Sequence, residues 1–176
     1  MFEIYPGITS LVRYITLFSS EPEACQASAC PHCGCSRFWK HGCYPRKPDR
    51  DDGSLNPVLI QRYICTQCRH TFSLFPECIP PRRWYSWEVQ ENVLKNFLAG
   101  NTIRKISKRN DLARSTVRRW LARLKEQFLL HRDQLRQSEL LALDVDDFKS
   151  VWQKCLDEMS LSRAMYHFHR AGISIP

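Results

Sequence analysis

Four cysteines stand in two matching spacings. Cys30-Pro-His-Cys33 and Cys65-Thr-Gln-Cys68 are Cys-x2-Cys units with 31 residues between them. Each unit can fold as a tight knuckle whose two thiolates converge on one cation, and two knuckles supply four ligands. The expected cofactor is one structural zinc per chain. Four protein ligands leave no open position for a substrate, so the expected role is architectural rather than catalytic. Much of the folding energy of residues 30–78 should then come from the metal. Gly34 follows the first knuckle; Phe38-Trp39, a turn at Asp51-Asp-Gly53 and a strand over Val58–Ile64 lead to the second. Arg69-His-Thr-Phe-Ser73 is β-prone, and knuckle, hairpin and knuckle together describe a zinc ribbon.

Nine cysteines are an odd number, which argues against a complete disulfide framework. Cys35, Cys43 and Cys78, with His32, His41 and His70, lie near enough in sequence to act as substitute ligands or as a second, weaker site. The simpler reading, small buried or free thiols, is preferred for these three cysteines. Cys25 and Cys155 have no paired spacing and are expected to be unrelated to metal.

Charge points to a partner. The chain of 176 residues carries 26 basic and 18 acidic side chains, a net +8. Residues 80–126 hold 12 basic and 4 acidic side chains, so this stretch accounts for the whole excess. A positive potential concentrated this way suits a polyanion. Hydrophobic residues at 43% and charged residues at 25% are a globular mixture, which excludes collagen-like and low-complexity classes. The longest apolar run, Ile8 to Phe18, is broken by Arg13 and is too short to span a membrane. No basic segment precedes it, so no secretory signal is expected and a cytoplasmic, nucleoid-associated location is.

The basic stretch has helical periodicity. Pro76, Pro80 and Pro81 close the ribbon, and Ser86 can cap a helix with an apolar stripe at Val89, Val93, Leu94, Phe97 and Leu98, ending at Gly100. Asn101 or Thr102 can cap a second, shorter helix with Ile103 and Ile106 inward. After a turn at Asp111-Leu112-Ala113, a third helix beginning near Arg114 should bury Val117, Trp120, Leu121 and Leu124. Three helices with a short break before the third describe a helix-turn-helix.

A step of ~100° per residue then sets Ser115 and Arg119 opposite the inward Val117 and Leu121. Arg114 and Thr116 stand at the helix entrance, and Arg118 and Arg123 flank the outer face. Such positions reach base edges in a major groove, where arginine can contact guanine with two hydrogen bonds. Arg104, Lys105, Lys108 and Arg109, on the preceding helix, suit phosphates. Arg82 and Arg83, beside Trp84 and Tyr85, can serve as a minor-groove arm or as an ordinary solvated linker.

The run Ile106 to Leu121 resembles the homeodomain-like helix-turn-helix of transposases and their regulators. It departs from that pattern where Asp111 replaces the usual Gly and Ala113 the usual Ser. With the paired Cys-x2-Cys units and Arg69-His-Thr-Phe ahead of it, residues 28–126 resemble the InsA-type zinc-ribbon DNA-binding proteins of bacterial insertion sequences. The resemblance implies a protein that binds element ends and represses or assists transposition without breaking DNA itself.

Phe148, Val151, Trp152, Cys155, Leu156 and Met159 form one further stripe, and Leu161, Ala164, Met165 and Phe168 another. They can pack on their own domain or form a dimer interface, and the interface is slightly favoured. Asp144, Asp146 and Asp147 read as a helix N-terminus favoured by the macrodipole. No α/β core, phosphate loop or nucleophile motif accompanies them, so no enzyme is expected. The expected architecture is α+β in small modules: an N-terminal extension (1–27), a zinc ribbon (28–79), a linker (80–85), a helix-turn-helix (86–128) and a helical tail (129–176). The expected partners are double-stranded DNA, with a homodimer and a transposase as further candidates, and no membrane. Two alternatives stay open: a module that docks a transposase or polymerase, and a truncated transposase without its catalytic domain.

Overall fold

The computed structural model describes residues 1–20, 26–47, 57–81, 85–137 and 141–173. Among these, the chain is mixed α+β, with one four-stranded sheet and seven helices. Contacts divide it into two units, Met1–Ser86 and Trp87–Pro176. The expected turn at Asp51–Gly53, the linker residues Arg82, Arg83 and Trp84, and Cys25 lie outside the described residues.

The first unit is built on strands β1 (Phe2–Tyr5), β2 (Phe38–Arg46), β3 (Val58–Cys65) and β4 (Thr71–Pro76), with helix α1 (Leu11–Ser20) between β1 and β2. Their order across the sheet is β1-β4-β3-β2, with β1 parallel to β4 and the other pairs antiparallel. Side chains alternate between the two faces, so each face carries its own core. On one face Val58, Ile60 and Phe75 pack with Ile8, Tyr14 and Ile79; on the other Tyr63, Cys65, Phe72 and Leu74 pack with Ala27 and Cys30. Tyr14 secures α1 by donating its hydroxyl to the Leu59 carbonyl at 2.7 Å. Residues 1–20, expected as part of an extension, join the sheet unit. They supply an edge strand and a helix packed on one face, β1 pairing with the row of backbone groups that β4 offers.

The second unit contains α2 (Trp87–Leu98), α3 (Ile103–Arg109), α4 (Arg114–Glu126), α5 (Phe128–Gln137), α6 (Phe148–Glu158) and α7 (Leu161–Arg170). The helices start and stop where capping chemistry dictates. Thr102, Asp147 and Ser160 cap α3, α6 and α7 with their side-chain oxygens. Gly100, at φ 79°, ends α2 in a conformation that costs glycine little. Trp87, Val93, Leu94, Trp120, Leu121, Leu161 and Met165 line one apolar pocket, so α2, α4 and α7 share a core. Glu91 fixes α7 to α2 by accepting the Leu161 amide at 2.7 Å.

The C-terminal stripes are already used. Val151, Trp152, Cys155, Ala164, Met165 and Phe168 are at most 1% exposed within the single chain. This corrects the expectation that they offer a dimer face: α2, α5 and each other cover them, with Phe168 stacked on the buried His131 ring at 4.3 Å. The acidic trio also divides. Only Asp147 caps α6, whereas Asp144 pairs with Lys154 and Asp146 with Arg132 and Arg136.

Candidate metal centre and basic helix face

The two knuckles bring four thiols together. The Sγ atoms of Cys30, Cys33, Cys65 and Cys68 all lie within 4.8 Å of one another, with Cys30–Cys68 at 3.7 Å and Cys33–Cys65 at 3.6 Å. A disulfide needs about 2.05 Å between sulfurs, so these are thiols gathered as a donor set compatible with a metal ion. Backbone geometry makes the convergence possible. The Gly34 amide donates to the Cys30 carbonyl at 2.8 Å, and the Arg69 amide to the Cys65 carbonyl at 3.1 Å. Gly34 and Arg69 both sit at positive φ, 73° and 61°. Arg69 thus holds a left-handed turn that usually falls to glycine or asparagine, which its residue type gave no reason to expect.

The electrostatics of the cluster suit a cation. The Cys68 and Gln67 amides, followed by the Cys33 side chain, hold the Cys65 thiol down at about 6. Cys33 is pushed up to about 12: the Cys35 amide lowers it, but desolvation and the neighbouring thiols outweigh that pull. Cys65 ionises readily and Cys33 and Cys68 then resist, as expected of crowded thiolates.

The remaining Cys and His residues separate. Cys35 interacts with the Arg37 backbone, Cys43 donates to Gln61 Oε1 at 3.3 Å, and burial pushes the Cys78 thiol up to about 12. Burial likewise raises Cys155 to about 12. Among the described residues none of these four thiols, nor His41, joins the four-cysteine donor set, although Cys35 borders it through its backbone. His32 and His70 do approach it, with their ring atoms within 4.8 Å of Cys68 Sγ. Their rings stack at 4.0 Å and 15°, and His70 Nδ1 lies 3.0 Å from the Cys68 carbonyl.

In the second unit, α4 has two distinct faces. Val117, Trp120, Leu121 and Leu124 are buried, while Arg114, Ser115, Arg118 and Arg119 are exposed. Thr116 and Arg123 are half-buried, so they belong to the flank rather than the outer face. On α3, Arg104, Lys105 and Lys108 are exposed, and Arg109 donates to Asn96 Oδ1 at 2.8 Å. Among the described residues, Arg104, Lys105, Lys108, Arg114, Arg118 and Arg119 make no ion pair with a carboxylate. The link from α3 to α4 is tight. The Leu112 amide donates to the Ser107 carbonyl at 3.0 Å, Ser107 Oγ returns a bond to the Leu112 carbonyl, and Asp111 sits at φ 48°. Arg82 and Arg83 lie outside the described residues. No helix among the described residues is long and apolar enough to cross a membrane.

The described chain is thus a mixed α+β protein with a four-cysteine candidate metal centre and a helix of exposed arginines. It belongs to the family described as "Domain of unknown function (DUF6431)", whose model matches residues 30–120, just over half of its length. That match begins at the first ligand-type cysteine and ends at Trp120 within α4. No curated protein and no solved structure matches the chain.

Proposed function

We propose that the chain is a DNA-binding regulator, transposition-associated or transcriptional, in which α2–α4 act as a helix-turn-helix and a zinc ribbon carries one structural zinc. The observation that carries this reading is the division of α4. Its apolar side is consumed by the core, and its outer side holds Arg114, Ser115, Arg118 and Arg119 without carboxylate partners. An arginine-bearing helix with one free face suits a major groove. Arg104, Lys105 and Lys108, one helix earlier, suit the phosphates on either side of it. Arg109 is engaged with Asn96 and contributes less. The left-handed Asp111 supports the turn, standing where the resembled pattern has glycine.

Zinc is the cation that the thiols suit best. A tetrahedron with zinc–sulfur bonds of 2.3 Å has edges of about 3.8 Å, and two Sγ pairs stand at 3.7 and 3.6 Å. When bound, the ion supplies charge compensation for the thiolates and ties β3 to both knuckles. The family match running from Cys30 to Trp120 supports ribbon and helices as one functional sequence. The likeness to InsA-type proteins supports element ends as the target and a transposase as a partner.

A salt titration of two variants tests the reading. Arg119→Ala should cost about 1–3 kcal/mol on a selected duplex and relax the preference at one base position. Lys105→Ala should weaken selected and scrambled duplexes alike and reduce the salt slope by about one unit. If neither variant changes duplex affinity, α4 is not in the groove. The exposed arginines would then serve protein docking.

A further inference from the structure

We propose that His32, His70 and the Cys68 thiolate form a second, exchangeable metal site for a divalent ion of the zinc class, with Cys68 bridging it to the four-thiol site. Because Cys68 is shared, the second site rests on the zinc reading of the first. The four thiols alone suffice for a structural ion, yet two imidazoles stand beside them. A ligand-type atom from each of His32, Cys68 and His70 lies within 4.8 Å of the other two. The two histidines come from different knuckles, so the fold that gathers the thiols also gathers the rings.

Backbone bonds fix each histidine in place. His32 lies within the first knuckle, which the Gly34 amide closes on the Cys30 carbonyl at 2.8 Å. His70 follows the second, and its carbonyl accepts the Cys65 amide at 3.0 Å. With Arg69 left-handed between them, His70 turns back toward Cys68, and its Nδ1 lies 3.0 Å from the Cys68 carbonyl. A carbonyl only accepts, so Nδ1 carries a proton and, in the neutral ring, Nε2 carries the lone pair. Metal-bound histidines are ordinarily held this way, the other ring nitrogen donating to a carbonyl or carboxylate. Both rings are exposed and stack on each other at 4.0 Å and 15°. Among the described residues, neither pairs with a carboxylate.

Two imidazole nitrogens and a thiolate sulfur are a donor set for zinc and its neighbours. Zinc–nitrogen bonds of about 2.0–2.1 Å and zinc–sulfur bonds of about 2.3 Å put tetrahedral donors about 3.3–3.6 Å apart, so the three atoms need to close by at most about 1.5 Å. The near-parallel rings must also splay to aim both lone pairs at one ion, which exposed side chains do by rotation. Charge favours a second cation, because four thiolates around one divalent ion leave an excess of negative charge. Arg69, between Cys68 and His70, opposes it, but Arg69 is exposed and screened by water and salt. A thiolate bound to one ion keeps a lone pair for another. Among the described residues no fourth donor joins the three, so water takes the remaining position and the ion exchanges with solvent. The four-thiol ion is retained on desalting; the second is not.

The experiment uses the full chain, loaded with zinc and desalted, to which cobalt(II) is added stepwise while its absorption and the zinc content are followed. Wild type should bind about one cobalt per chain, with a thiolate-to-cobalt charge-transfer band, and keep its zinc. His32→Ala should weaken cobalt binding by about 100-fold or more, since even partners behind a ligand are worth about 10–100-fold, and should leave the zinc in place. His70→Asn should do the same: its amide can still donate to the Cys68 carbonyl but offers no lone-pair nitrogen. His41→Ala should bind cobalt as wild type does. The proposal is overturned if the zinc-loaded chain takes up no cobalt, if cobalt enters only by displacing zinc, or if the bound cobalt shows no thiolate band. It is equally overturned if the His32 and His70 variants bind cobalt like wild type, or lose zinc instead, which would make the rings supports of the four-thiol site. A chain that retains no zinc in the first step refutes the four-thiol reading and the second site together. Zinc retained without cobalt uptake refutes the second site alone.

Discussion

Helix α4 lacks a cap that its own backbone is shaped to accept. Ala113 occupies the N-cap position at φ −63°, ψ 137° and has no side-chain oxygen. Thr102 and Ser160 hold nearly the same backbone, at −68°, 151° and −70°, 157°, and each accepts the amide three residues on, at 3.4 and 3.3 Å. A serine at 113 would therefore present its hydroxyl to the Thr116 amide, sharing it with the Ala113 carbonyl that already accepts it at 3.0 Å. Ala113 is exposed, so the added oxygen meets no packed neighbour. Replacing a capping residue by alanine costs about 0.5–2 kcal/mol, typically ~1; because the Thr116 amide already has a backbone acceptor, Ala113→Ser should return the lower part of that range. In a unit of this size, each kcal/mol moves the midpoint by about 4–8 °C. Thermal unfolding followed by circular dichroism should show a rise of that order. Ala113→Val, which adds bulk without an oxygen, should show none. If Ala113→Ser melts with or below wild type at unchanged helix content, α4 does not begin where the backbone indicates.

Two other outcomes follow from the same geometry. Metal analysis should find about one zinc per chain. Cys65→Ser, which removes a fully buried ligand, should abolish that zinc and the hydrogen-exchange protection of β3 and β4 while the helical unit keeps its circular dichroism; a metal-free chain with a native sheet would refute the site. The second outcome concerns pH. Burial holds His169 below its ordinary 6.5, so the unfolded chain takes up the proton first. Stability is then complete above 6.5 and declines as pH falls through that value, until the lowered folded pKa is reached. Urea midpoints measured from about pH 7.5 to pH 5 should show this decline, and His169→Gln should flatten it. An unchanged slope in the variant would assign the effect to other groups.

The features readable in the chain are those whose cause is local. Two Cys-x2-Cys spacings fold into knuckles because the turn is made within a few residues, so the four thiols could be named before their distances were known. The stripes at Val117–Leu124 and Leu161–Phe168 follow from a 3.6-residue period, and Thr102 and Asn101 were the available caps for α3. Ala113 as an empty cap and Asp111 as a strained substitute for glycine were equally visible, because each depends on one residue and its immediate neighbours.

What only the tertiary structure decided depends on distant partners. Strand β1 has four residues, and its parallel pairing with β4 joins positions some seventy residues apart, which no local pattern encodes. The stripes of α6 and α7 have the same amphipathic signature whether a partner subunit or α2 covers them; the fold chose α2, with Glu91 securing the start of α7. Asp144, Asp146 and Asp147 looked like one acidic cap until Lys154, Arg132 and Arg136 drew two of them away. Trp39 reads in sequence as one more strand aromatic. Its exposure, at 62% on the edge strand β2, is a property of the folded sheet.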